Sequence, residues 1–143
     1  MSPEQKIAVD AFFAAAEKLR VMGVIRSDRF LGDIAEFLVA SKLGMDLAES
    51  KRQEGFDGIV DLKKIEVKYN GGSSKTVLCG DPNLYDELVV VLGPGSVLRD
   101  PLLAEPYLFY RIPSAEVKVK VPHRDGKLRL GKSDLGRENL LLD

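Results

Sequence analysis

The sequence predicts a mixed α/β (α+β) protein in which helices flank a central mixed sheet of four to six strands. Two helix-like segments come first, and short runs rich in β-branched residues follow them. One of these runs, 88–92, is continuously apolar, which is typical of a central strand covered on both faces. Helices packed against such a sheet complete the predicted arrangement.

Two helices are predicted before the sheet. The segment 2–5 (Ser-Pro-Glu-Gln) offers a capping serine, a proline suited to the first helical position and a capping-box glutamine, so a helix is expected over 3–22. A second helix is expected to begin at Ser27 or Asp28 and to end at Gly44, because apolar residues between them recur at helical spacing.

The remaining elements are predicted to be strands. In each of them, apolar residues either alternate with polar ones or form a continuous run. The segments are 45–50, 56–61, 65–69, 88–92, 107–112 and 117–121. The first three form a meander, with a short polar turn at 62–64 between the second and the third. The leucines of 140–142 are expected to dock on the core.

The length of 143 residues predicts a single domain over 1–143. We expect its core at about 28–112, an N-terminal helix at 3–22 and a basic strand-and-turn segment at 113–143. The net charge is −1, but residues 111–137 contain eight basic and three acidic side chains. This excess predicts either a phosphate-facing surface or an ordinary solvated edge.

The single histidine and single cysteine restrict the chemistry that the chain can perform. One His123 and one Cys79 cannot supply the shell of a zinc site, and His123 lies in a polar, turn-like stretch. Catalysis must then depend on carboxylates and lysines, with a hard cation bound through oxygen. A lone cysteine, no secretory signal and no apolar run of about 18 residues predict a cytoplasmic protein without a membrane partner.

Three polar side chains in the meander are the main candidates for a functional site. Asp57 begins the second strand, and Glu66 and Lys68 lie two residues apart on the third, so these two share a face. Each residue has an ordinary alternative: Asp57 could open a turn, and Glu66 and Lys68 could form a solvated ion pair.

A fourth candidate, Glu36, lies on the second predicted helix. Gly32, Glu36 and Ala40 are one turn apart, and a glycine inside a helix costs ~1 kcal/mol relative to alanine. A close approach of a backbone or a ligand would explain the glycine and would make Glu36 part of a site. The alternative is that Glu36 is an exposed helix residue.

This ordered set resembles the PD-(D/E)xK nuclease superfamily. The matching pieces are Glu36 on the helix before the sheet, Asp57 entering a strand, Glu-Val-Lys at 66–68 and the buried strand at 88–92. The resemblance covers roughly 28–112 and implies a restriction-endonuclease-like core. A phenylalanine precedes Asp57 where the family name places proline.

The resemblance implies metal-assisted hydrolysis of phosphodiesters with Mg²⁺ or Mn²⁺ as cofactor. Asp57 and Glu66 would be direct ligands, the Val67 carbonyl an additional one, and Glu36 would complete the shell directly or through water. Lys68 would orient or deprotonate the attacking water and offset charge on the phosphate. Because a lysine beside carboxylates normally stays charged, its electrostatic role is the physically safer one.

DNA is the partner that the resemblance implies, and a homodimer is an arrangement that it allows by analogy. Residues expected to contact the nucleic-acid backbone are Asn70, Lys75, Arg124, Lys127 and Arg129. Two other readings stay open. One is a catalytically inactive module of the same fold that binds nucleic acid or protein. The other is an enzyme acting on a different phosphate or sugar substrate.

Overall fold

A computed structural model describes residues 1–49 and 55–142. It contains a mixed sheet of five strands with helices packed on it, which confirms the predicted α+β class. The elements are α1 (Pro3–Val21), α2 (Phe30–Leu43), β1 (Asp46–Leu47), β2 (Gly58–Val60), β3 (Lys63–Asn70), β4 (Thr76–Leu78), β5 (Glu87–Leu92), β6 (Leu108–Pro113), α3 (Ser114–Lys118) and β7 (Arg129–Gly131), followed by 3-10 turns at Lys132–Asp134 and Arg137–Asn139.

The five strands lie in the order β1-β2-β3-β5-β6, and β4 and β7 form a separate antiparallel ribbon. Only β3 and β5 run parallel; the other neighbours in the large sheet are antiparallel. All six residues of β5 are buried, which confirms the predicted central strand. Val89 and Val91 pack towards α2, while Leu88, Val90 and Leu92 pack towards α3 and the ribbon.

The helices form for the reasons that the sequence indicates, with one difference in where α2 begins. The predicted capping box is present, since Ser2 and Gln5 exchange side-chain to backbone hydrogen bonds. Helix α2 begins at Phe30, later than predicted, because the Asp33 carboxylate accepts the backbone N–H groups of Arg26 and Ser27 and holds a turn before the helix. It ends at the predicted glycine, which has a left-handed φ of 67°.

The predicted strand at 117–121 is wrong. Strand β6 ends at Pro113, one residue before a last ladder-type bond from the N–H of Ser114 to Asp86 O, and the chain turns directly into α3. In this short helix Val117 is buried, whereas the other two valines of the alternating run are exposed. Without a neighbouring strand to pair with, the alternating pattern does not produce a strand.

Other boundaries also differ from the predictions. Strand β2 is limited to Gly58–Val60, so Asp57 lies just before the strand and does not begin it. The first strand is only Asp46–Leu47, and the end of the predicted segment at Ser50 lies outside the described residues. The turn of the hairpin is Asp61-Leu62 rather than 62–64, because Val60 pairs directly with Lys63. The ribbon strands β4 and β7 were not predicted.

The C-terminal leucines dock as expected over two of their three residues. Leu141 N donates to Phe109 O at 2.8 Å, and Leu140 pairs with Tyr110 along β6. Both side chains pack against the core clusters, whereas Leu142 is exposed.

Helix α1 is exposed along most of its length. Of its residues only Ala16 is buried, and its contact with α2 includes the ring pair Phe12–Phe30. Three large apolar side chains are exposed on one side of the helix, and we call them the α1 apolar surface: Val9, Phe12 and Phe13. No helix among the described residues combines the length and apolar character that crossing a membrane requires.

Candidate active site

A cavity of about 400 Å³ lies between α2, the residues that lead into β2, and β3. We call it the acidic cavity, because four of its lining residues are acids and two are basic. It is lined by Arg29, Leu31, Gly32, Asp33, Glu36, Gly55, Asp57, Glu66, Val67, Lys68 and Tyr69. The structure therefore brings the four predicted catalytic residues, Glu36, Asp57, Glu66 and Lys68, to one place.

Divergence of two strands opens this cavity. Strand β2 pairs with β3 only from Val60–Lys63 to Gly58–Ile65, so within the described ranges no strand lies beside the edge of β3 beyond Ile65. Asp57 bridges the gap: its N–H donates to Ile65 O, and its Oδ2 accepts the N–H of Val67, both at 2.7 Å. Since N–H and C=O of one strand residue point the same way, the Val67 carbonyl also faces the open edge.

Glu66 and Lys68 form an ion pair at this edge. Lys68 Nζ lies 2.7 Å from Glu66 Oε1, and both side chains are more than half buried. Their partners in the parallel register are Leu88 and Val90, so they project towards the ribbon side of the sheet. The sequence-based expectation that they share a face is confirmed.

Glu36 reaches the cavity from the opposite side of the sheet, on α2. It is buried, and its Oε2 lies 3.3 Å from Arg26 Nη2, while Arg26 Nη1 donates to Ala48 O. The alternative of an exposed helix residue is therefore wrong. A Cβ at Gly32 would meet nothing within 4 Å, so close packing does not explain that glycine; it leaves the mouth of the cavity open.

The clustered acids change the protonation of Asp57. Burial, followed by the negative charges of Glu66 and Glu36, raises the pKa of Asp57 from 3.8 to about 7, although the Val67 N–H and the charge of Lys68 act in the other direction. The cavity therefore carries more negative charge than its own cations offset, and a bound cation would favour the ionised form of Asp57.

The donor set fits Mg²⁺ in its chemistry. Mg²⁺ is commonly held by one or two carboxylates and keeps several waters, and Asp57, Glu66 and the Val67 carbonyl offer only oxygen. Within 1–49 and 55–142, no three or more His, Cys, Asp or Glu side chains are spaced to hold a metal ion. Glu36 is engaged by Arg26, so its place in a metal shell, direct or through water, stays a prediction.

The fold brings two of the five predicted nucleic-acid contacts together, because Asn70 and Arg129 line one cavity with Lys68. Asn70 is buried, and its side chain accepts from Ser96 Oγ at 2.6 Å and donates to Ser74 O, so it also stabilises its own loop. Lys75 and Arg124 are exposed, away from the acidic cavity.

The last two of these residues lie in other cavities that Lys68 also lines. Arg129 lines a small one and is paired with Asp125 at 2.7 Å. Lys127 lines a larger one together with Lys118 and Lys120, which the sequence analysis did not single out. The sequence signal that could have found them is their place in the basic segment at 113–143.

Arg26 was also missed, since nothing in the sequence links it to Glu36.

No protein-family model matches this chain, and no curated protein is significantly similar to it. The chemistry of the site is therefore the basis for assigning a function.

Proposed function

We propose that this protein is a divalent-cation-dependent nuclease of the PD-(D/E)xK type, which hydrolyses phosphodiester bonds in DNA. The observation that carries the proposal is the meeting of Asp57, Glu66, Lys68 and Glu36 in one cavity at the open edge of β3. Each of the four comes from a segment where the resemblance expects it: the helix before the sheet, the start of one strand and the middle of the next.

The topology also supports a restriction-endonuclease-like core. Helix α2 is followed by the antiparallel meander β1–β2–β3, and β5 then joins β3 in parallel and is buried on both faces. This order brings the acid of α2 to the same edge as the acids of the meander.

Asp57, Glu66 and the Val67 carbonyl would hold Mg²⁺ or Mn²⁺. When bound, the ion lowers the pKa of a water and stabilises the charge that develops on the phosphate. In the hydrolysis, the oxygen of water bonds to phosphorus and a water proton leaves to solvent. The leaving sugar oxygen departs with the bonding pair and takes up a proton.

Lys68 carries out the part of this chemistry that needs a cation from the protein. Its ammonium donates to Glu66 and lies at the junction of the cavities, so it can hydrogen-bond a phosphate oxygen and orient the attacking water. Glu36 fixes Arg26, and Arg26 ties the segment after β1 to α2 through Ala48 O.

Purified protein incubated with plasmid, duplex and single-stranded DNA tests the proposal. We expect cleavage with Mg²⁺ or Mn²⁺, none with EDTA, and loss of cleavage in Asp57→Asn and Lys68→Ala. A wild-type protein that cuts no substrate under any of these conditions would overturn it.

One observation favours a second candidate, a non-cutting module that binds nucleic acid. The carboxylates of Glu66 and Glu36 are already engaged by Lys68 and Arg26, so the site is stable as an ion-pair network without a metal. DNA binding without cleavage, together with no Mn²⁺ binding by calorimetry, would favour this module over the nuclease.

A second copy of the chain is the partner that we propose for the α1 apolar surface. The helix is about 28 Å long at 1.5 Å per residue, long enough for an extended pairing. Glu4 lies in its first turn and Lys18 and Arg20 in its last turn, so an antiparallel copy would place opposite charges together at each end. A two-fold dimer of this kind also opposes the helix dipoles favourably.

A further inference from the structure

A second cavity, of about 840 Å³, shares Lys68 with the acidic cavity. One wall is the segment 78–83, which begins at the last residue of β4, and the other is formed by residues from Lys118 to Leu128. We call this cavity the basic groove, because four lysines and only one acid line it: Lys68, Lys118, Lys120 and Lys127 against Asp81.

Two of these lysines have their charge available to a ligand. Lys120 is paired with Asp134 at 2.9 Å, and Lys68 with Glu66. Lys118 and Lys127 are exposed and form no salt bridge with any residue that the structure describes. The carboxylate of Asp81 accepts the N–H of Asn83 and so helps to hold the wall itself.

We propose that the basic groove binds single-stranded nucleic acid by its phosphates and leads that strand across Lys68 to the acidic cavity. This inference rests on the proposed nuclease function and narrows its substrate to a single strand, or to a single-stranded end of a duplex.

The dimensions of the groove favour a single strand. Its lysines converge from several segments on one half-open space of about 840 Å³. A phosphate between the two walls would be contacted from more than one side. A duplex, whose major groove alone is about 12 Å wide, is too bulky for a space of this volume.

The lining predicts binding without sequence preference. Lysine ammonium groups act as point charges on phosphate, and the apolar lining residues are leucines and prolines rather than aromatic rings. The groove therefore lacks the stacking platforms on which proteins hold individual bases.

Gly80 connects the groove to the acidic cavity. Its φ of 65° favours glycine, and a Cβ there would lie 3.8 Å from Glu66 Oε1 and 4.0 Å from Lys68 Cε. No side chain at position 80 therefore stands between this part of the groove and the Glu66–Lys68 pair, and a strand that reaches Gly80 meets these two side chains next.

Fluorescence anisotropy with a labelled, mixed-sequence single-stranded oligonucleotide tests the inference. Measurements use the Asp57→Asn protein in EDTA, so that cleavage cannot interfere. We expect Lys118→Ala/Lys127→Ala to weaken binding at least tenfold at low salt. The slope of log K against log salt should become shallower by about 1.4, since each contact to a single strand contributes about 0.7.

Lys18→Ala/Lys64→Ala is the matched control, because it removes the same charge and neither residue lines the groove. It should bind within twofold of the parent. Circular dichroism checks that both variants are folded. The inference is overturned if the groove variant binds the single strand like the control, or if it weakens binding of the equivalent duplex equally.

The cleavage assay separates this inference from the proposed function. Groove-dependent binding by a protein that cuts nothing would support the groove and reject the nuclease. Undiminished cutting of single strands by Lys118→Ala/Lys127→Ala would support the nuclease and reject the groove.

Discussion

The carboxylate of Asp57 accepts the backbone N–H of Val67 at 2.7 Å, at the point where β2 has ended and the edge of β3 is open. The acid thus takes the place of a strand partner while it stands beside Glu66. This one contact links the fold to the chemistry, because the strand divergence that opens the cavity is stabilised by a residue that the cavity needs.

The first prediction concerns Asp57 and stability. Between its unfolded pKa near 3.8 and its native pKa of about 7, the native state binds more protons than the unfolded state, so stability falls as pH rises from about 4 to about 7. Asp57→Asn removes this loss and can keep the bond to Val67. We expect the variant to be more stable at pH 8 by about 1–2 kcal/mol, after allowance for solvent screening, and equally stable near pH 4.

Urea unfolding at pH 4.5, 6 and 8 in EDTA measures this difference. Asp28→Asn is the control, since its side chain is 99% exposed and the charge change is the same. An Asp57→Asn protein no more stable than the wild type at pH 8 would show that the native pKa of Asp57 is not raised.

The second prediction concerns Lys68 and the rate of cleavage. Removing a donor that stabilises charge in a transition state typically costs about 10²–10³ in rate. We expect Lys68→Ala to slow single-turnover cleavage at least a hundredfold, and Lys68→Arg to retain part of the rate because it keeps the charge.

Lys64→Ala is the matched control for Lys68, because it lies four residues earlier on β3 and its ammonium stands over the Phe56 ring. It should cut within twofold of the wild type. Equal loss in both variants would mean that Lys68 contributes only general positive charge.

The elements that were predicted correctly are those in which the hydrophobic pattern and the residues at the ends indicate the same structure. The capped start of α1, the glycine end of α2 and the apolar β5 each depend on local residues. The incorrect predictions concern elements whose structure depends on residues far away in the sequence. Nothing local indicates that the valines of 117–121 lack a strand beside them, or that β4 pairs with β7 more than fifty residues later.

The candidate site shows the same division. The spacing of Glu66 and Lys68 alone predicts a shared face, and the structure bears this out. Tertiary packing decides which side chains meet, which is why Arg26 beside Glu36 and the groove lysines Lys118 and Lys120 were not singled out. Asn70 as a contact residue stays a prediction, because a polar residue after a strand can also satisfy its own loop, as this side chain does.

The third prediction concerns the hairpin between β2 and β3. Asp61 and Leu62 both have positive φ, 48° and 67°, as a two-residue turn of the primed type requires. Leucine is strained there and is 96% exposed, so its side chain contributes little packing. We expect Leu62→Gly to stabilise the protein by about 0.5–1 kcal/mol and Leu62→Val to destabilise it, as measured by urea unfolding.

Leu102→Gly is the control for Leu62, since Leu102 is also exposed in a turn but has no positive φ. The free energy of unfolding should not rise in this control. If it does not rise in Leu62→Gly either, the turn does not hold leucine in a left-handed conformation.

The fourth prediction concerns the α1 apolar surface. Val9 and Phe13 lie one turn apart and are 44% and 60% exposed, so charging them should leave the fold intact but place two carboxylates in the proposed helix pairing. By light scattering, we expect the wild type to have twice the 15.7 kDa of one chain and Val9→Glu/Phe13→Glu to be monomeric. Val121→Glu, at an exposed apolar position elsewhere, should stay dimeric. We take a Kd of about 100 μM, which corresponds to about −5.5 kcal/mol, as the weakest affinity of a functional dimer. A wild type that is monomeric at 100 μM would exclude the second copy as the partner of α1.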